Sequence, residues 1–248
     1  MPSTALWWNG GVTRPDSSVS IPPVVRRHAG SSEIEPVWLN ELGGLTFRAG
    51  QVFVKWCPLD VQIDLAVEAD KLRWVSAYTR VPEVVDAGSD SDAQWLVTVA
   101  LPGTNAVDDA WTANPTVAAR SIGTGLRAFH DAVPRATCPY DWSIESRVES
   151  AEKLGSNPSV GTAPPIDPVV CHGDACAPNT LLDNDGNWFA HVDLGSLGVA
   201  DRWADLAPAI MSTEWNYGRR FTSEVLDGYG IELDRRKLDF YCRLWDET

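Results

Sequence analysis

Between residues 23 and 56 apolar side chains come in four short runs, at 23–27, 35–39, 45–47 and 51–56, separated by Gly, Ser and Asn turn signals. Runs of this length bounded by turn residues predict the strands of an antiparallel sheet. Across residues 59–78 the spacing changes. Leu65, Leu72 and Val75 recur at the helical period, which predicts a helix there. A strand-like stretch follows at 94–100, and Pro102-Gly103 ends it. Helical periodicity resumes at 116–132 and again at 143–154, and the stretch 156–165, rich in Pro, Gly and Ser, reads as a loop. Two short runs, 180–182 and 188–192, flank Asp183-Asn184-Asp185-Gly186 and predict a hairpin. Beyond residue 193 the pattern is largely helical, and the first twenty residues read as loop. A sheet with one main helix, then a linker, then helices around a small hairpin predicts a two-lobed α+β chain. The lobes are expected at residues 1–100 and 101–248.

Composition narrows the picture modestly. A chain of 248 residues with 44% apolar side chains is ordinary for a soluble globular protein. No apolar run approaches the roughly 18 residues of a membrane span, and the N-terminus lacks the basic start and apolar core of a secretory signal. The five cysteines are odd in number and scattered. Cys171 and Cys176 lack zinc-site spacing and are expected to be buried thiols. Reduced cysteines suit the cytoplasm. The net charge is −14. Residues 1–98 carry 8 basic and 12 acidic side chains (−4), and residues 99–248 carry 12 and 22 (−10). Nucleic acid needs a basic surface and is excluded as a partner. A cationic small molecule would be attracted to the acidic half.

That acidic half holds the chemistry. Residues 172–179 read H-G-D-A-C-A-P-N, and Asp193-Leu194-Gly195 follows the hairpin. Phosphoryl transfer needs one carboxylate to orient a hydroxyl, together with hard oxygen ligands that hold magnesium on nucleotide phosphates. Protein kinases supply these from an H-R-D-x-x-x-x-N loop and a later D-F-G. Here the loop is H-G-D-x-x-x-x-N and the later triplet is D-L-G. A hairpin between the two returns Asp193 toward Asp174 and Asn179.

The pattern H-G-D-x-x-x-x-N…D-x-G, with Asp201-Arg202 and Asp205 after it, resembles the aminoglycoside phosphotransferase family, and within it the aminoglycoside 3'-phosphotransferases. The resemblance spans about residues 42–247 and is strongest over 169–207. It implies a protein-kinase-like fold, with a small antiparallel-sheet N-lobe and a larger, mostly helical C-lobe. It also implies ATP, with GTP possible, and Mg2+ as cofactors. On this reading Asp174 is the catalytic carboxylate and touches the substrate hydroxyl, while Asn179 and Asp193 hold the metal. Lys55, ending an alternating strand, would touch the nucleotide phosphates and be held by Glu68 on the next helix. Gly43, Gly44 and Thr46 lie in the turn before that strand and would face phosphate oxygens. Backbone groups around Val99 and Leu101 would meet the base. His172 is expected to brace the loop, and Asp201, Arg202 and Asp205 to form an ion-pair network.

On the substrate side the resemblance implies that Glu214, Asp246 and Glu247 bind a cationic aminoglycoside. Three departures bear on this. The stretch 147–169 is short and poor in acidic residues where relatives carry a longer acidic insertion. Ser196 and Met211 stand where related enzymes often carry arginine. The sequence ends in Thr248 rather than in aromatic residues. Three functions therefore stay open. They are an aminoglycoside 3'-kinase conferring resistance, a kinase of the same family acting on another hydroxylated antibiotic or metabolite, and a nucleotide-binding protein without turnover. The intact set Lys55, Glu68, Asp174, Asn179 and Asp193 argues against the last.

Overall fold

The computed structural model describes residue 15 and residues 19–40, 43–61 and 63–248. Most of the expected irregular start, and Leu42 of the glycine turn, lie outside the described residues. The chain forms two compact units. One runs to Ala77 and includes Val81–Leu101; the other comprises Tyr78–Arg80 and Pro102–Thr248.

The first unit opens with helix α1 (Pro23–Ala29). An extended segment was expected at 23–27, because proline and paired valines favour extended backbone. The helix wins for local reasons. Pro23 sits in the first turn, where its missing N–H costs nothing. Arg26, Arg27 and His28 suit the negative end of the helix dipole, and Gly30 ends it at φ 56°. The paired valines become its buried face, packed with Phe47, Val54 and Val97.

Strands β1 (Ile34–Leu39), β2 (Leu45–Ala49), β3 (Val52–Pro58), β4 (Val84–Ser89) and β5 (Ala93–Val99) make one antiparallel sheet in the order β1-β2-β3-β5-β4. Helix α2 (Leu65–Val75) begins later than residue 59 because Asp64 caps it, its carboxylate accepting the Val67 N–H at 3.0 Å. Gln94 of β5 fixes that end by accepting the Leu65 N–H at 2.7 Å. The buried face of α2 carries Leu65, Glu68, Leu72 and Val75, the i, i+3, i+7 spacing of a core stripe with one carboxylate in it.

The second unit contains β6 (Thr104–Asn105), α3 (Asp109–Thr112), α4 (Pro115–Ala132), α5 (Ile144–Lys153), β7 (Pro168–Cys171), β8 (Thr180–Leu182), β9 (Trp188–His191), β10 (Gly198–Asp201), α6 (Trp203–Tyr217), α7 (Thr222–Tyr229) and α8 (Arg235–Glu247). The expected hairpin is β8–β9, with Gly186 at φ 82° in its turn. No helix or strand interrupts 156–165. Helix α6 is buried on every side from Trp203 to Thr213. Its large side chains, with Phe240 and Tyr241 of α8, form the centre of this unit, each apolar one contributing about 1.5–3 kcal/mol. Helices α4 and α7 meet backbone to backbone. A Cβ on Gly123 would lie 2.0 Å from the Val225 carbonyl oxygen, and one on Gly228 would lie 2.0 Å from that of Arg120. Among the described residues no helix is long and apolar enough to cross a membrane.

Candidate active site

Strand β7 delivers the chain into residues 172–179, and its partner β10 follows the Asp193 triplet, with Cys171 opposite Gly198. Two backbone features and one side chain bring the two motifs together. Gly173 has φ 89°, and a Cβ there would stand 2.1 Å from the Ser196 carbonyl oxygen. Only glycine permits that crossing. The Val192 N–H donates to the Asn179 carbonyl at 3.0 Å. The His172 ring does the rest: its Nε2 donates to the Val192 carbonyl at 3.0 Å, and its Nδ1 accepts the Asp174 N–H at 3.2 Å. His172 thus links both motifs by hydrogen bonds, the bracing geometry expected of it. Asp193 itself is exposed and adopts φ 64°, the left-handed conformation that aspartate tolerates better than most residues.

Asn179 Nδ2 donates to both the carbonyl oxygen and Oδ2 of Asp174, at 2.9 and 3.0 Å. Both are acceptors, so the amide's orientation is set, and its Oδ1 remains to serve as a ligand. Oδ1 of Asp174 is shielded from solvent and, among the described residues, has no hydrogen-bond partner. Burial pushes the Asp174 carboxyl above the usual range, and the neighbouring Asp193 charge pushes it further. His172, Cys176 and Asn179 pull the other way. The Cys176 thiol lies close enough to favour the charged carboxylate. Both Cys171 and Cys176 are buried and free, and burial keeps the thiols protonated. The Asn179 amide oxygen and the exposed Asp193 carboxylate are hard oxygen donors of the kind a divalent cation takes, and they leave Asp174 Oδ1 for another partner.

In the first unit Lys55 of β3 reaches Glu68 of α2 with Nζ–Oε1 2.7 Å and Nζ–Oε2 3.0 Å. Glu68 is nearly buried, with a side-chain exposure of 6%. Removing one partner of such a pair typically costs about 3–5 kcal/mol. Thr46 stands directly opposite Lys55 in the β2–β3 register, so the two share a face of the sheet. The glycine turn is closed by Asn40. Its Oδ1 accepts the Gly44 N–H at 2.7 Å and its carbonyl accepts the Gly43 N–H at 3.1 Å, so a phosphate would have to replace those bonds. The Val99 N–H is taken by the Glu83 carbonyl at 2.9 Å, and Leu101 ends this unit.

The expected substrate carboxylates lie at the ends of α6 and α8. Glu214 pairs with Arg220 at 2.7 Å. Burial raises the Asp246 carboxyl while Arg220 pulls it back, and Glu247 accepts the Ser159 N–H. Among the described residues no hydrogen bond or ion pair joins these three to Asp174. Asp201 and Arg202 do form ion pairs, with Lys237 at 2.6 Å and Asp167 at 2.7 Å. Asp205 does something else. It is fully buried and accepts the N–H groups of His172 at 2.6 Å and Gly173 at 2.9 Å. Its partner His130 was not singled out in the sequence. The available signal was a carboxylate set in an apolar helix, Leu206-Ala207 following it, which must find donors.

The profile of a family described as the phosphotransferase enzyme family matches residues 160–241. An aminoglycoside 3'-phosphotransferase from Streptomyces fradiae is 34% identical over 222 residues, covering 77% of this chain and 81% of its own length. The streptomycin 3''-kinase of Streptomyces griseus is 30% identical, covering 84% and 89%. The structure of the aminoglycoside phosphotransferase APH(3'')-Id from Streptomyces rimosus superposes with a TM-score of 0.72 at 27% identity, over 90% of this chain and 96% of that one. The fold and motifs are those of a phosphotransferase. The chain belongs to the aminoglycoside phosphotransferase family.

Proposed function

We propose that the chain transfers the γ-phosphoryl group of ATP to a hydroxyl of an aminoglycoside, the 3'-hydroxyl first among them, and so inactivates the drug. The observation that carries this reading is the Asp174 carboxylate. One oxygen is held by Asn179, and the other is shielded and without a partner. Oδ1 would accept the hydrogen bond of the substrate hydroxyl and aim it for in-line attack, and the raised Asp174 carboxyl is suited to take the proton as the bond to phosphorus forms. The transition state is loose, so alignment and charge neutralisation matter more than strong base catalysis. Asn179 Oδ1 and the Asp193 carboxylate would hold magnesium, which supplies charge neutralisation on the phosphate oxygens when bound. Lys55, oriented by Glu68, would neutralise the α- and β-phosphates. Glu214, Asp246 and Glu247 would attract the drug's ammonium groups, with Arg220 as the competing cation. The Streptomyces rimosus relative has been solved in complex with ADP and streptomycin, at 25% identity and a TM-score of 0.69, which supports the nucleotide and the drug class.

A second reading has its own support. The streptomycin 3''-kinase covers more of this chain than the 3'-phosphotransferase from Streptomyces fradiae does, so streptomycin belongs among the substrates tested. The experiment is magnesium-dependent ADP release with kanamycin, a 3'-deoxy analogue and streptomycin. Release with kanamycin but not with the 3'-deoxy drug is expected. Asp174→Asn should lower turnover by about two to four orders of magnitude while nucleotide still binds. Release with streptomycin alone would move the assignment to the 3''-hydroxyl. Near-normal turnover in Asp174→Asn would overturn the mechanism.

A further inference from the structure

We infer that His130 and Tyr229 are positioning residues for phosphoryl transfer: they hold Asp205, and Asp205 holds the backbone of the catalytic loop. The inference rests on Asp174 acting as proposed above, because the loop amides that Asp205 clamps are those of the two residues immediately before it. Asp205 Oδ2 accepts the His172 N–H at 2.6 Å and the His130 Nε2–H at 2.9 Å, and Oδ1 accepts the Gly173 N–H at 2.9 Å. Bonds to an ionised acceptor are roughly twice as strong as neutral ones. Burial alone would push the Asp205 carboxyl up, yet the bonds from His130 and the Gly173 amide hold it below the ordinary range.

An ionised Asp205 can only accept, so the proton of His130 sits on Nε2. Nδ1 is then an acceptor, and the Tyr229 hydroxyl donates to it at 2.8 Å. That hydroxyl in turn accepts an N–H from Arg202 at 3.0 Å. Burial pushes the Tyr229 phenol up to about 12, so it keeps the proton it donates. From Asp205 through the His130 ring to the Tyr229 hydroxyl donors and acceptors are matched, and one tautomer of His130 satisfies them. The relay surfaces at Asp167, whose exposed carboxylate pairs with Arg202.

Ligand atoms of His130, Cys171 and Asp205 lie within 4.8 Å of one another, a spacing that would suit a metal. Both ring nitrogens of His130 and both oxygens of Asp205 are already bonded inside the protein, so the relay accounts for the cluster. Among the described residues no hydrogen bond or ion pair joins these groups to the Asp174 side chain. Their effect is on the path of the loop, and so on the alignment of Asp174 rather than on nucleotide affinity.

The test compares His130→Leu, His130→Gln and Tyr229→Phe with the wild type. It reads the hydrogen exchange of the His172 and Gly173 amides, and kcat and KM for ATP with kanamycin as the acceptor. His130→Leu removes the donor to Asp205. Its two loop amides should exchange about tenfold faster or more, and kcat should fall by a similar factor with nucleotide KM within about twofold. Gln retains a donor and should recover most of the loss. Tyr229→Phe keeps the ring and should shift both readouts the same way by a smaller factor. Wild-type amide protection and kcat in His130→Leu, or in Tyr229→Phe where the leucine variant does not fold, would overturn the relay. So would equal losses in the Leu and Gln variants, which would make the effect one of packing. If the wild type phosphorylates no drug, the functional reading fails, while the amide readout still judges the relay.

Discussion

Two aspartates of the second unit, Asp174 half-buried and Asp205 fully buried, have carboxyls shifted in opposite directions, and each shift follows from its surroundings. Asp205 receives two backbone amides and a histidine. Asp174 receives one asparagine amide, leaves an oxygen unpaired and faces a second carboxylate. The signs of their linkage differ. Asp174 has a raised folded pKa, so its charge subtracts stability at neutral pH, and that loss is relieved as pH falls through the raised value toward 3.8. Asp205 has a lowered folded pKa. Its contribution is fully present above 3.8 and is lost as pH falls through the folded value below it. In magnesium-free, nucleotide-free buffer, Asp174→Asn should therefore melt above the wild type at pH 7, and Asp205→Asn below it. Both differences should shrink in acid. Melting curves across pH would check this, and a destabilised Asp174→Asn would contradict the strained environment described here. The approach of residues 172–179 to the Asp193 triplet was legible, because the chemistry proposed for Asp174, Asn179 and Asp193 demands a fixed pattern. The roles of Asp205 and His130 were not, since Asp205 acts on backbone amides 33 and 32 residues before it and His130 reaches it from 75 residues away, and such partners leave no local signature.

At the scale of elements, the helices and strands with clear periodicity were legible. Helix α4 starts at Pro115 against an expected 116, and β5 lies within a residue of its expected place. The failures came where two preferences compete. Helix α1 hid behind Pro-Val-Val, and the onset of α2 was blurred by alternating residues before the Asp64 cap. Strand β4 was missed because Asp86 and Gly88 interrupt it. In the fold, Asp86 is satisfied across the sheet by Trp95 at 3.1 Å and by His28 at 2.9 Å. The α4–α7 crossing offers a test at this scale. Gly228→Ala should gain up to about 1 kcal/mol of helix propensity. The Cβ would nevertheless overlap the Arg120 carbonyl oxygen at 2.0 Å, and overpacking costs about 1–3 kcal/mol. The clash is against backbone and should win, lowering Tm by several degrees. A melt that rises instead would mean that the two helices part easily.

For the molecule as a whole, charge is distributed in a way that bears on the substrate. Most of the −14 resides beyond residue 98, in the stretch that also carries Glu214, Asp246 and Glu247. Attraction of a polycation by such a field is screened over about 10 Å at 0.1 M salt. KM for kanamycin should rise severalfold between low salt and about 0.5 M, with kcat nearly constant. Steady-state kinetics across salt would test this, and a flat KM would assign drug recognition to short-range contacts alone. The division of the chain has one more consequence. It enters the second unit at Tyr78–Arg80, returns to the first for β4 and β5, and leaves for good at Pro102. Arg80 lays its guanidinium 4.2 Å from the ring of Phe189 and offers its carbonyl to the N–H of His191, two positions before Asp193. No single crossover in a gene can therefore transplant the larger unit whole. A recombinant joined at residue 102 would inherit the catalytic loop but not Arg80, which packs on the strand leading to Asp193.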